Sequence, residues 1–293
     1  MFAGTYTALV TPFHKGRVDE GAFQKLISDQ VRGGVDGIVP VGTTGESPTL
    51  GFDEHIRVIE LAVRAAKGRV KVLAGTGANA TAEAVHLTQA AEAVGADGSL
   101  QVAPYYNKPS QEGLFQHFKK IARATKLPII LYSIPGRCNI AIEVPTVQRL
   151  AKACKNIVGI KEAGGDADRV SQLRAAIGQR FTILSGDDAL TLPFMAVGAE
   201  GVISVASNII PRQITRMVNA FTAGNADAAL RLHQKYYPMF KDLFIETNPV
   251  PTKAALAMLG KCTEEYRLPL CKMSAPNRAQ LAKTLKACGV LKK

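Results

Sequence analysis

Short apolar runs alternate with longer segments of helical periodicity along residues 1–224. Each run ends at a polar or glycine-rich break, and the segment after the break carries its apolar residues on one helical face. This pattern predicts strands and helices in alternation. The predicted strands are 5–12, 37–42, 71–75, 99–104, 128–135, 157–163, 181–186 and 201–207. The amphipathic segments predicted as helices include 20–32, 53–67, 81–94, 111–125 and 168–177.

The number of strands and their spacing predict the fold class. Eight βα units make a closed (β/α)8 barrel, the TIM barrel fold of the α/β class. An open doubly wound sheet would place a GxGxxG fingerprint after its first strand, and none follows 5–12 here. Asp53 and Thr81 stand at the start of two predicted helices with acidic first turns, so we expect both to be N-caps.

Beyond residue 224 the strand pattern stops and helical periodicity continues. The helical segments there are 225–245, 251–259 and 275–288. We therefore predict a catalytic barrel over residues 1–224 and a C-terminal helical extension over residues 225–293 that packs on the barrel or on a neighbouring subunit.

Lys161 is the residue that most directly suggests chemistry. It follows the apolar run 157–160, which is typical of a strand buried on both faces. A cation at that point is costly unless the strand opens into a polar pocket, and a desolvated lysine can lose its proton and attack a carbonyl carbon. The alternative is a structural lysine whose stem lies on apolar surface while its ammonium group reaches solvent.

Polar residues also follow several other predicted strands, and the carboxyl ends of barrel strands share one face. Segment 42–45 is either a tight turn or an anion cradle in which N–H and hydroxyl groups hold a carboxylate. Tyr132 is either a core aromatic or a proton carrier. Arg137, behind a Pro-Gly turn, would project over the barrel mouth, where a guanidinium suits a carboxylate. Together with Lys161, these groups favour imine chemistry on a small keto acid.

Two further pairs are less decisive. Tyr105 and Tyr106 point to opposite sides if the chain is extended, so at most one of them would face a given pocket. Asp187 and Asp188 follow a predicted strand, but an aspartate in that position caps the next helix equally well.

The charge balance excludes some classes of function. There are 36 basic and 24 acidic residues, for a formal net charge of +12. The basic residues are spread along helical segments, so we expect no nucleic-acid binding, although the net charge favours anionic substrates. No apolar stretch is long enough to cross a bilayer, so no membrane association is expected.

Cysteine and histidine usage points to a reducing compartment and away from metals. The five cysteines form no CxxC pair, and their odd number suggests reduced thiols and a cytoplasmic location. The five histidines give no HExxH-type ligand pair, so no metal site is predicted.

Several motifs resemble a known family. They are GTTGE at 42–46, PYYN at 104–107, YSIPGR at 132–137, GIKE at 159–162 and SGDD at 185–188, together with segments 74–79 and 248–251. The chain resembles dihydrodipicolinate synthases over essentially its whole length, within the class I pyruvate-dependent aldolases and lyases. Arg137 favours the synthases in that superfamily, because sialate lyases generally lack an arginine there.

The resemblance implies a reaction and no cofactor. Pyruvate would condense with L-aspartate semialdehyde through a Schiff base on Lys161, giving 4-hydroxy-tetrahydrodipicolinate in the first committed step of the diaminopimelate pathway to lysine. Tyr132 would carry protons, with Thr43 relaying them between Tyr132 and Tyr106. Neither a metal nor an organic cofactor is expected.

The resemblance also implies which residues bind the substrates. Thr43 and Thr44 would hold the carboxylate of pyruvate, and Arg137 would receive the carboxylate of aspartate semialdehyde. Gly186 and Ile203 would line the pocket with backbone groups.

Oligomerisation and regulation follow from the same resemblance. In this family the second tyrosine of the pair enters the site of an adjacent subunit, so Tyr106 implies a dimer at least, and a dimer of dimers is expected. Lysine often inhibits family members at the dimer interface. The matching positions are Ser47, His55, Asn79, Glu83 and Tyr105. Pro48 and Phe52 depart from the commoner pattern beside that site.

One alternative function stays open at this point. A sister aldolase of the same superfamily, acting on a sugar acid or a hydroxy-keto acid, would share Lys161 and Tyr132 and differ around Arg137. Cys138 and Asn139 replace the usual small residue and glycine there, and such a change could alter how the second substrate is seated.

Overall fold

The computed structural model describes residues 2–291, and within them eight parallel strands close into the predicted barrel. The last of these strands pairs with the first, so the sheet has no free edge. In chain order the strands are β1 (Gly4–Ala8), β2 (Phe13–His14), β3 (Arg17–Val18), β4 (Gly37–Val39), β5 (Lys71–Gly75), β6 (Gly98–Val102), β7 (Ile129–Ser133), β8 (Ile157–Glu162), β9 (Thr182–Ser185) and β10 (Gly201–Ser204). β2 and β3 form a small antiparallel hairpin outside the barrel.

Helices surround the strands and continue past them. They are α1 (Glu20–Gly33), α2 (Phe52–Ala66), α3 (Thr81–Ala93), α4 (Gln111–Arg123), α5 (Pro135–Cys138), α6 (Val144–Ala153), α7 (Ala167–Ile177), α8 (Thr191–Ala196), α9 (Pro211–Thr222), α10 (Ala226–Asp242), α11 (Val250–Met258) and α12 (Ala275–Ala287). Short 3-10 turns lie at Thr43–Gly45, Ser47–Thr49 and Ala206–Asn208.

The predicted strands are confirmed, and all of them except the one at 71–75 end earlier than predicted. The strand predicted at 5–12 ends at Ala8, and the one predicted at 37–42 ends at Val39. The residues after these points leave the sheet and form loops at the barrel mouth. The hairpin of β2 and β3 was not predicted, because two-residue strands carry no readable alternation.

The two predicted N-caps are wrong. α2 is capped by Gly51, and Asp53 lies in its first turn, where a negative charge still stabilises the helix dipole. α3 begins at Thr81 itself, so this residue is helical and cannot be the cap. The Thr81 hydroxyl instead lies 2.9 Å from Nδ1 of His117 on α4.

Side chains fill the interior of the barrel. Its inner cluster consists of Phe2, Tyr6, Ala8, Val39, Leu73, Leu100, Ile130, Tyr132, Leu184, Ile203 and Val205. A separate apolar layer lies between the strands and the surrounding helices. Since the interior is packed, the space for chemistry lies at the carboxyl-terminal mouth, as in other barrels of this type.

The C-terminal helices continue the outer layer of the barrel. α10 packs on α9, and α12 packs on α10 and α11. Buried residues of α11 and α12, such as Val250 and Leu285, belong to the same apolar cluster as barrel residues. The division into a barrel over 1–224 and a helical extension over 225–293 stays a prediction, and positions 1, 292 and 293 lie outside the described residues.

Candidate active site

Lys161 lies in the penultimate position of β8 and points toward Tyr132. Its side chain is 6% exposed, and Nζ lies 4.1 Å from the centroid of the Tyr132 ring. The two residues are direct partners in the register of β7 and β8, which explains their contact. An amine and a phenol ring therefore share the carboxyl-terminal end of the barrel.

Glu162 follows Lys161 but belongs to the opposite face of the strand, because side chains alternate along β-structure. Its carboxylate is fully buried and pairs with Nε of Arg169 at 2.7 Å. The other oxygen accepts a hydrogen bond from the Gly164 N–H. Within residues 2–291 this leaves the Lys161 amine without a carboxylate partner, as a nucleophile requires.

Gly186, after β9, leaves room for the Lys161 side chain. A Cβ atom at Gly186 would lie 3.0 Å from Cε of Lys161 and 2.6 Å from Cβ of Ala163. Ile203, on β10, is fully buried in the inner cluster that also contains Tyr132. Of the two positions that the resemblance assigned to the pocket wall, Gly186 thus lies next to Lys161 and Ile203 lies in the packed barrel interior.

An open cavity of about 200 Å³ lies at the barrel mouth above these residues. Its walls come from the loops that follow β4, β5, β6 and β7. The lining residues are Val41, Gly42, Thr43, Ser47, Pro48, Gly75, Gly77, Leu100, Val102, Tyr105, Tyr132, Ile134, Arg137 and Cys138. The cavity brings phenol, hydroxyl and guanidinium groups together. Among the predicted site residues, Lys161, Thr44, Gly186 and Ile203 do not belong to its lining.

The loop of residues 42–46, called here the threonine loop, forms one wall. Thr43 lines the cavity, whereas Thr44 is buried and its Oγ1 accepts a hydrogen bond from Nδ2 of Asn248 at 2.9 Å. Val41, just before the loop, has a φ of 50°, a strained conformation for a β-branched residue. Such strain costs about 1–3 kcal/mol and is concentrated at functional sites.

Arg137 lies on the short helix α5 and lines the cavity from the opposite side. Its Nη2 donates to the backbone oxygen of Asn248 at 3.0 Å, which orients the guanidinium. Cys138 lies next to it, and its thiol points to the oxygen of Ala103. Burial raises the pKa of the Cys138 thiol to about 11, so this cysteine is a neutral wall residue and not a nucleophile.

Asn248 is the residue of this site that sequence reasoning missed. It contacts both the threonine loop and Arg137, from a segment that the pattern assigned to the C-terminal extension. Segment 248–251 contributed to the resemblance, but nothing in its composition indicated a role at the barrel mouth.

Asp188 has a structural role that the sequence did not predict. It is buried and accepts hydrogen bonds from the N–H groups of Val205 and Ala206, so it fixes the turn after β10. Burial raises its pKa to about 6. Asp187 does form a local turn, since its carboxylate accepts from the Ala189 N–H at 2.7 Å.

The sequence of the chain matches one family throughout. The sequence model of the Dihydrodipicolinate synthetase family covers residues 1–288. The chain belongs to the dihydrodipicolinate synthetase family. This membership is consistent with the barrel and with the lysine at the end of β8.

Relatives in the dihydrodipicolinate synthetase family are similar over their full lengths. The 4-hydroxy-tetrahydrodipicolinate synthase of Endomicrobium trichonymphae is 53% identical over 292 residues, covering 100% of both chains. That of Aquifex aeolicus is 52% identical over 286 residues, covering 98% of this chain and 97% of its own.

Solved structures of the family superpose closely. The 4-hydroxy-tetrahydrodipicolinate synthase of Methylacidiphilum fumariolicum SolV has a TM-score of 0.98 at 55% identity, covering 99% of this chain and 96% of its own. A family member from Cyanidioschyzon merolae, solved with lysine bound, has a TM-score of 0.96 at 43% identity, covering 99% of each chain.

The tyrosine pair of this family member divides between the cavity and the surface. Tyr105 is half-buried and lines the cavity. Tyr106 is 91% exposed, has a φ of 74° and is not part of the cavity lining. The structure therefore does not bring Tyr106 together with Lys161 within one chain.

The positions assigned to lysine binding cluster beside the cavity. Ser47 and Tyr105 line the cavity, and Nδ2 of Asn79 donates to the backbone oxygen of Tyr105 at 3.3 Å. Burial and the nearby charge of Glu83 raise the pKa of Tyr105. Nε2 of His55 lies 2.8 Å from the Gly75 oxygen, and burial lowers the pKa of this imidazole.

The described residues hold neither a candidate metal site nor a candidate membrane span. Residues 2–291 contain no group of three or more His, Cys, Asp or Glu side chains arranged to hold a metal ion. Within the same range no helix combines the length and apolarity needed to cross a membrane.

Proposed function

We propose that Lys161 carries the covalent chemistry of a 4-hydroxy-tetrahydrodipicolinate synthase in this chain. The enzyme is a lyase that condenses pyruvate with L-aspartate semialdehyde. Its full-length relatives at about 50% identity are named 4-hydroxy-tetrahydrodipicolinate synthases. The observation that carries the residue assignment is the buried Lys161 amine, 4.1 Å from the Tyr132 ring at the end of the barrel.

The first half of the reaction forms an enamine. The Lys161 amine attacks C2 of pyruvate, and loss of water gives a protonated imine. Removal of a proton from the methyl carbon converts this imine into the nucleophilic enamine. In this proposal Tyr132 carries these protons and Thr43, which lines the same cavity, relays them.

The second half joins the substrates and releases the enzyme. The enamine carbon attacks the aldehyde of aspartate semialdehyde, and a proton reaches the resulting alkoxide. The amine of the second substrate then displaces Lys161 from the imine carbon, closing the ring and restoring the free amine. These reaction steps balance without an oxidant, a reductant or a cofactor, so we propose no cofactor.

Two polar groups suit the two carboxylates. The threonine loop offers hydroxyl and N–H groups to the carboxylate of pyruvate, through Thr43 and Thr44. Arg137, oriented by Asn248, faces the same cavity and suits the carboxylate of aspartate semialdehyde.

Steady-state turnover tests this function. Purified protein with pyruvate and L-aspartate semialdehyde should consume both substrates, and sodium borohydride with pyruvate alone should trap an adduct on the protein. Adduct formation without consumption of aspartate semialdehyde would instead favour a sister aldolase, for which Cys138 and Asn139 beside Arg137 are the motivating feature.

The exposed Tyr106 supports a dimer in which each chain completes its partner's site. A tyrosine that is 91% exposed beside the cavity loop is well placed to enter a second copy. A dimer of dimers is the assembly we propose, although one solved family member at 40% identity is described as a monomeric variant.

Mixing inactive variants tests this exchange. Tyr106→Phe and Lys161→Ala chains, dissociated and reassociated together, should regain about a quarter of wild-type activity, because half of the dimers would contain one intact site. Mixing Tyr132→Phe with Lys161→Ala is the control, since both defects lie in the same site and no intact one can form. Recovery in the control, or none in the test mixture, would contradict the exchange.

We further propose that lysine inhibits this enzyme through the residues beside the cavity. The Glu83 carboxylate suits the ammonium of an amino acid, and Ser47, Asn79 and Tyr105 offer groups for its carboxylate. The lysine-bound relative from Cyanidioschyzon merolae supports this proposal.

The variant Glu83→Ala is expected to raise the lysine concentration for half-inhibition by roughly 10-fold or more, because a charge-assisted hydrogen bond is lost. Inhibition curves at fixed substrate concentrations measure this half-inhibiting lysine concentration. Glu92→Ala, on the same helix but bonded to Thr125, is the matched control and should leave the curve in place. An unchanged curve for Glu83→Ala would place the effector elsewhere.

We place the enzyme in the cytoplasm. Among the described residues all five cysteines are free thiols, which suits a reducing compartment.

A further inference from the structure

A fully buried ion pair connects the threonine loop to the C-terminal segment. Nζ of Lys253, on α11, lies 2.6 Å from Oε1 of Glu46, and both side chains have 0% exposure. Among the ion pairs of residues 2–291, no other has both side chains fully buried. The contact joins positions 207 residues apart in the chain.

Two aromatic rings and a backbone N–H lie around this pair. Nζ of Lys253 lies 4.3 Å from the Phe13 ring centroid and 5.2 Å from that of Tyr266. The second oxygen of Glu46 accepts from the Arg267 N–H at 3.3 Å. Burial lowers the pKa of Lys253, and the neighbouring Glu46 partly restores it.

Stability alone is a poor reason for such a pair. Removing two charges from water costs about as much as their attraction returns, and apolar replacements are often equally stable. A buried pair does, however, fix geometry, because any displacement leaves a charge unpaired in an apolar setting. Its location therefore indicates which geometry is being held.

The pair acts at the end of the loop that faces the substrate. Glu46 adopts a left-handed conformation with a φ of 57° between the 3-10 turns Thr43–Gly45 and Ser47–Thr49. Asn248 holds the same loop at Thr44, two residues earlier. Between these anchor points the loop backbone has little freedom to move its N–H groups and the Thr43 hydroxyl.

We propose that Lys253 and Glu46 are positioning residues for the first substrate: their ion pair holds the threonine loop in the shape that binds the pyruvate carboxylate. The inference rests on the proposed imine chemistry and goes beyond it by assigning the C-terminal segment a role in substrate affinity. Neither residue lines the cavity, so the pair acts through the loop and not by contact with substrate.

The test removes both charges while keeping the packing. Lys253→Met alone would leave Glu46 buried and unpaired, so the double variant Glu46→Gln/Lys253→Met is used, in which glutamine can still accept from the Arg267 N–H. The readout is the pyruvate concentration that gives half-maximal borohydride trapping, measured on protein whose fold is checked by circular dichroism. The half-saturating pyruvate concentration should rise roughly 10-fold to 100-fold, because small misplacements of binding groups have effects of that size. The trapped fraction at saturation should stay at the wild-type value.

The matched control is Glu200→Gln. It removes the ion pair between Arg174 and Glu200, which lies at the amino-terminal end of the barrel just before β10. This variant should lower the melting temperature and leave the half-saturating pyruvate concentration unchanged. If the double variant does not fold, Glu46→Asp takes its place, since it keeps the charge but draws the loop toward Lys253, and it should also weaken pyruvate binding.

The outcomes separate the two proposals. The positioning role would be overturned if a folded Glu46 variant kept the wild-type half-saturating pyruvate concentration while pyruvate was trapped normally on the wild type. The ion pair would then be purely structural. A wild type that forms no adduct would overturn the imine chemistry and this inference with it. A shift in half-saturation shared by Glu200→Gln would show that lost stability, and not loop geometry, is the cause.

Discussion

Replacing Lys161 by alanine is expected to abolish both turnover and the borohydride-trapped pyruvate adduct. The amine is buried at the end of β8, faces the Tyr132 ring and has no carboxylate partner within residues 2–291, so no described neighbour competes with an electrophile for it. Alanine removes the nucleophile itself, and the loss in turnover should reach the limit of detection. Mass spectrometry of the reduced protein measures the adduct directly.

Lys71→Ala is the matched control for this variant. Lys71 begins β5 at the opposite, amino-terminal end of the barrel, where its ammonium group lies 5.1 Å from the Phe2 ring centroid. Its loss should leave the adduct intact. An adduct that persists in Lys161→Ala at the wild-type level would show that another amine carries the chemistry.

The second large effect is expected for Tyr132→Phe. This change keeps the ring against which Lys161 packs and removes only the hydroxyl group. Proton transfer by a positioned side chain contributes roughly 10²–10⁴-fold, so turnover should fall by that factor. Pyruvate should still be trapped in the variant, but the adduct should accumulate more slowly, which rapid-quench measurements can follow.

Tyr6→Phe is the control for Tyr132→Phe. Tyr6 belongs to the same inner cluster but does not line the cavity. Its loss should leave kcat close to wild type. Near-normal turnover in Tyr132→Phe would refute its role as the proton carrier.

Local pattern was sufficient to predict the barrel. Each strand is short, apolar and followed by an amphipathic helix, and that signal lies within a window of about 20–30 residues. The positions of Lys161 and Tyr132 could be predicted for the same reason, because a polar residue at the end of a buried strand is conspicuous. Helix caps were less predictable, since Gly51 and Ala80 provide no side-chain hydrogen bond to recognise.

The second layer of the site could not be predicted in this way. Asn248 reaches Thr44 across 204 residues of sequence, and Arg267 reaches Glu46 across 221. Contacts at such separations leave no periodicity in the sequence, and each partner alone is an ordinary polar residue of a loop or helix. Lys253 is the clearest example, because on α11 it resembles any surface lysine until the fold buries it.

The sequence by itself thus determined the barrel and the strand ends at which Tyr132 and Lys161 lie, since both follow from local hydrophobic periodicity. Tertiary structure alone decided how the threonine loop is held, that Glu162 pairs with Arg169, and that Tyr106 is exposed while Tyr105 lines the cavity. The physical reason is the same in each case. Hydrophobic periodicity is local, whereas the pairing of buried charges and hydrogen-bonding groups depends on which distant segments the fold brings together.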